Sequence, residues 1–114
     1  MADGVEFPAD VPGASDLFAW FGSWPTFHDA EVRSVHLNRE GPSRIRVGTK
    51  QGVVTFVFGG VSELALNGFN GRNALSALTL TQNPQGYTLE LWPGHGISGT
   101  ITARSVRVEF APVE

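Results

Sequence analysis

His28, Asp29 and Glu31 are the residues of this 114-residue chain whose types could do chemistry at close spacing. An imidazole and carboxylates are the usual ligands of catalytic zinc and the usual partners in general acid–base work. His36 follows on the same expected strand and His95 is on a distant loop, so a three-ligand site needs the fold to gather them. The spacing matches no metal-binding motif, and short polar side chains beside a turn ordinarily bond local backbone. His28 and Asp29 are therefore expected to cap a turn while Phe27 fills the core and Glu31 stands as a charge at a strand edge. No catalytic residue, metal or cofactor is assigned.

Three tryptophans are many for so small a chain. Trp20 is expected in the core or half-buried at a helix end. Trp24 before Pro25 and Trp92 before Pro93 stand at element ends, where exposure is expected. Exposed indoles are how small β modules stack on sugars or grip a partner. Trp24 and Trp92, joined by Arg72, thus define an alternative ligand-binding reading. The loop at residues 68–73 combines glycines, amides and Arg72 and could cradle an anion. It lacks the lysine and following hydroxyl of a phosphate loop, however, and turn geometry accounts for its composition. No serine sits in the context of a nucleophile elbow.

The elements that must position these residues follow from periodicity. Residues 1–12 carry acids, small residues, Pro8 and Pro12 without a period, and read as an extended acidic arm. Residues 13–114 read as a single β-rich domain. Ser15 is the expected N-cap of a helix with Asp16 in its first turn, Leu17, Phe18 and Phe21 on one face, and Gly22 as its stop. From Ala30 onward the period is two. A first strand begins at Val32, with a bulge expected near Arg33 or Ser34 because Val35 and Leu37 fall out of phase. Further strands are expected at residues 44–49, 53–57, 61–66, 75–82, 87–92, 100–103 and 106–110, with turns at 39–42, 51–52, 67–73, 83–86 and 93–99. The fold class is mainly β: seven or eight short antiparallel strands, as a sandwich or a strongly curved sheet, with one short N-terminal helix. If residues 106–110 lie at a sheet edge they offer a route to a homodimer, which Arg104 and Arg107 protect only in part.

Hydrophobic residues make up 41% and charged residues 17%, a globular balance for one domain that buries about 65% of its unfolded surface. With no cysteine, neither disulfides nor thiolate metal sites are available. The net charge of -3 is uneven: residues 1–31 hold six acids and no Lys or Arg, whereas the rest holds eight basic residues against five acids. That balance argues against general nucleic-acid binding, and an acidic leading face can steer a basic protein partner. No run of about 18 apolar residues suggests a membrane span, and the N-terminus is unlike a secretory leader, so a cytoplasmic location is expected.

The segments WPTFHDAEV at residues 24–32, VSELALNGFNGRN at 61–73 and GISGTITARSVRV at 96–108 together resemble the immunity protein 50 family of bacterial polymorphic toxin systems. The first segment is the most specific, and the resemblance extends over roughly residues 17–110. The link between the first two strands is a tight turn here, shorter than in many relatives. The resemblance implies a nonenzymatic inhibitor that binds and neutralises a cognate toxin domain of unspecified identity. It places Trp24, His28, Asp29 and Glu31 in the strongest motif. With Asp16 these residues are the candidate partner-binding set, although a motif shared among inhibitors of different toxins fits maintenance of the fold.

Overall fold

The computed structural model describes residues 11–22 and 27–112. Trp24 and residues 1–10 of the expected arm lie outside them. One helix, α1 (Ala14–Phe21), precedes six strands: β1 (Glu31–His36), β2 (Ser43–Thr49), β3 (Gly52–Asn67), β4 (Ala74–Asn83), β5 (Gly86–His95) and β6 (Ser98–Pro112). All neighbours are antiparallel, and the order β1-β2-β3-β6-β5-β4 closes into a barrel. The strongly curved sheet is therefore the form adopted, rather than a sandwich of separate sheets.

Six strands replace the expected seven or eight because two expected pairs are each one long strand. Residues 53–57 and 61–66 both belong to β3, and residues 100–103 and 106–110 both belong to β6. Gly60 takes a positive φ of 66°, and the register with β6 shifts between Val61 and Glu63. A bulge of this kind bends a strand without ending it. The bulge expected near Arg33 is present as a register shift between Val32 and Ser34. Residues 93–95, expected in a loop, extend β5, since register shifts beside Leu75 accommodate Pro93, which cannot donate to a ladder.

The barrel interior is filled by alternate residues of every strand, including Val32, Ile45, Val54, Phe56, Phe58, Leu80, Leu89, Ile101 and Val108. β3 and β6 pair along their whole length as a bent ribbon. β2 flanks only residues 52–58 of β3, and β5 flanks only residues 99–103 of β6. Each strand of the ribbon thus has one half with a neighbour on a single side. On β6 that flank is covered: the Val108 N–H donates to the Pro12 carbonyl at 2.8 Å. The edge expected to be open at residues 106–110 is therefore met by the chain's own N-terminal segment. Gly13 has a φ of 89°, and a Cβ there would strike the Val108 carbonyl oxygen.

Gly13 also caps α1, with no side-chain cap bond, so Ser15 sits inside the first turn rather than before it. Gly22 ends the helix as expected, in the left-handed region with its N–H on the Phe18 carbonyl. Ala14 and Leu17 are buried against the barrel. Phe21 and Trp20 pack on Phe110 with ring centroids 5.4 and 5.2 Å away. Trp20 nevertheless stays half-exposed, and so does Phe18, because a helix this short buries only a narrow stripe. No helix among the described residues is long and apolar enough to cross a membrane.

Candidate functional site

The Phe27 to Val32 segment folds into a clasp between the first and fourth strands. β1 and β4 share a single ladder pair, Glu31 opposite Ala74. Closure depends on main-chain bonds around it: the Asp29 N–H to the Leu75 carbonyl (2.9 Å), the Leu75 N–H to the Ala30 carbonyl (2.8 Å), and the Val32 N–H to the Asn73 carbonyl (2.8 Å). To direct these groups sideways the chain turns sharply, and the Ala30 N–H closes on the Phe27 carbonyl at 3.1 Å. Phe27 and Asp29 consequently hold positive φ angles of 63° and 68°. Aspartate tolerates that region, whereas a bulky phenylalanine is held there by tertiary packing. Phe27 is buried, its ring centroid 5.9 Å from that of Phe56.

His28 joins the same seam. Its Nδ1 is 3.1 Å from the Ser76 carbonyl, and since a carbonyl only accepts, Nδ1 carries the proton in this contact. Its Nε2 is 3.7 Å from an Asp29 carboxylate oxygen, but the two side chains are 68% and 80% exposed, so the pair contributes little to stability. Glu31 is exposed at the strand edge. Asp16 is exposed in the first turn of α1. His36 pairs across the ladder with Arg44, and His95 with Ala74. Among the described residues no three His, Asp or Glu side chains stand close enough to hold a metal ion.

The loop at residues 68–73 is built differently. Asn73 is buried, and its Oδ1 accepts from the N–H groups of Asn70 (2.9 Å) and Ile97 (3.2 Å) while its Nδ2 donates to the Asn70 carbonyl at 2.7 Å. The Arg72 N–H is held by Asn70 Oδ1 at 2.8 Å. The Asn70 and Arg72 N–H groups and the Asn73 amide are committed to these bonds, so the loop forms a braced turn. The brace holds Phe69 outward, 54% exposed. Arg72 lines a groove with residues 31–33 and 69–73, and Trp92 is not among its walls. Trp92 is half-exposed as expected, its Nε1 3.5 Å from Thr79 Oγ1. Sequence reasoning passed over Phe69 and Asn73. The signal for Asn73 was its three-residue spacing from Asn70, which lets one amide bridge the turn.

The immunity protein 50 family model matches residues 13–113, nearly the whole chain. The chain belongs to the immunity protein 50 family. No curated protein and no solved structure matches it significantly. In this immunity protein 50 chain the His-Asp-Ala-Glu-Val stretch at residues 28–32 is the barrel closure itself. The structure brings His28, Asp29 and Glu31 together at one seam, sets Asp16 apart on α1, and leaves Arg72 and Trp92 on separate surfaces.

Proposed function

We propose that this chain binds and neutralises a cognate bacterial toxin domain by protein–protein contact, in the cytoplasm of the cell that makes the toxin and without catalysing a reaction. The observation that carries this reading is the family match over residues 13–113. In support, the clasp spends the backbone and imidazole of its polar residues on closing the barrel, leaving only exposed carboxylates to act at a distance. Asp16, Asp29 and Glu31 then serve as steering charges for a basic partner surface, and His28 serves the fold.

The test is calorimetric titration with the inactivated C-terminal domain of the toxin-like protein encoded beside this chain. A one-to-one complex of nanomolar affinity, about -12 kcal/mol, is expected. No heat at tens of micromolar would remove the reading. Replacing Asp29 and Glu31 with lysine should slow association and weaken its salt dependence.

One observation favours a second reading, a small ligand- or carbohydrate-binding module: the half-exposed indole of Trp92. Tryptophan fluorescence that does not move with a panel of sugars would dispose of it.

A further inference from the structure

The second one-sided half of the ribbon, residues 61–67 of β3, pairs with β6 and, among the described residues, with no other strand. A Cβ on Gly99 of β6 would strike the Ala65 carbonyl, so Ala65 faces β6. By the alternation of an antiparallel ladder, Leu64 and Leu66 turn their N–H and C=O groups to the other flank. This half is apolar and poorly defended, since Val61 and Leu64 are 37% and 43% exposed and Glu63 is its single charge. Natural edges are ordinarily blunted by lysine, proline or a covering segment. Over seven residues the half-edge is about 23 Å long.

Its far end runs into the barrel mouth. Val35, Leu37, Leu66, Phe69 and Ile97 line an apolar groove of about 410 Å³ there. Leu37 and Phe69 stand half-exposed on its rim, and Phe69 is fixed by the Asn70 and Asn73 brace. A rigid aromatic beside an apolar recess is the usual composition of a binding hot spot. Beyond Phe69 lies the second groove, whose charged walls are Arg33, Arg72 and Glu31. Among the described residues neither arginine has an ion-pair partner.

We propose that the half-edge at residues 61–67 and the adjoining mouth take an extended strand of the partner protein, apolar at alternate positions and carrying a carboxylate where it reaches Arg72. The inference rests on the toxin-binding reading and names the surface and the form of the partner segment. The added strand bonds Leu64 and Leu66, covers Val61 and Leu64, and seats one apolar side chain against Phe69 and Leu37. A second copy fits less well. Antiparallel self-pairing about Leu64 sets Val61 opposite Asn67, which brings the copy's Gly59 and Gly60 to the mouth and offers the arginines nothing to bind.

The experiment is titration of the full chain and its variants against the same inactivated toxin domain, with amide hydrogen exchange on the complex. Leu64→Pro removes an outward N–H, and Phe69→Ala removes the anchor. Each should weaken binding roughly 30-fold or more, with folding checked by circular dichroism. Arg72→Glu should weaken it by about tenfold. Glu109→Ala, on the covered half of the ribbon, should leave it unchanged. Exchange at Leu64 and Leu66 should slow in the complex. Wild-type binding that is matched by Leu64→Pro and Phe69→Ala, without slowed exchange, overturns this inference and leaves the toxin reading intact. A chain that is dimeric alone and becomes monomeric as Leu64→Lys overturns it in favour of a second copy. Absence of wild-type binding removes the toxin reading and this inference with it.

Discussion

The two one-sided halves of the β3–β6 ribbon are alike in backbone and opposite in treatment. Residues 106–110 of β6 keep Val106 and Val108 buried, and the outer flank is covered by Pro12, Gly13 and α1. Residues 61–67 of β3 carry exposed apolar side chains and, among the described residues, pair with no second strand on their outer flank. Since both are edges of one ribbon, the contrast cannot come from pairing geometry. It comes from what the chain places beside each half, and that separates an edge finished by the fold from one left for a partner.

Breaking the cover should have the largest effect. Gly13→Val puts a branched side chain at a positive φ and against the Val108 carbonyl, and should cost about 4 kcal/mol in denaturant unfolding while inducing self-association visible by light scattering. A matched pair of prolines sharpens the comparison directly. Val108→Pro removes a bonded N–H and a core side chain and should cost about 3 kcal/mol, whereas Leu64→Pro, at an outward N–H, should cost less than about 1 kcal/mol. Equal costs would mean that the two halves do not differ as described. Asn73→Ala, which leaves the Asn70 and Ile97 amides without their acceptor, should cost about 2 kcal/mol and raise exchange at those two positions. The smallest effect has the opposite sign: Asp29→Gly relieves a positive φ on an exposed residue and should raise stability by about 0.5 kcal/mol or leave it unchanged.

Much of this architecture was legible in the chain. Alternation marked the strands, and Gly22 marked the end of the helix. Out-of-phase Val35 and Leu37 announced the bulge in β1, and polar residues beside Phe27 announced a turn, although main-chain bonds close it and His28 reaches the distant Ser76 carbonyl rather than local amides. What was not legible is what depends on partners distant in sequence. Gly59 and Gly60 read locally as a break or a bulge, and pairing with β6 decides for the bulge and carries the strand through them. Pro93 read as a loop, yet a bulge opposite it in β4 keeps the ladder going. Leu17, Phe18 and Phe21 read as one core face, but of these only Leu17 is fully buried, joined by Ala14, while Phe18 stays half-exposed. The candidate site divided in the same way. The motif with His28, Asp29 and Glu31 was visible as a unit, but its task of joining β1 to β4 depends on Asn73, Leu75 and Ser76, more than forty residues on. Phe69 looked like one residue of a turn until the brace beneath it showed that the turn is rigid.

The clasp also orders the events of folding. The β2–β3 and β4–β5 hairpins close across turns of a few residues, and ribbon pairing must then enclose the intervening chain. The seam joins residues 29–32 to residues 73–75 through one ladder pair and a few main-chain bonds, so it offers little return until both sides are in place. It should form after the rate-limiting barrier. Weakening it by His28→Ala is then expected to hasten unfolding and leave the refolding rate untouched. The latch that completes the barrel would set how long the folded molecule lasts and have little bearing on how quickly it is made.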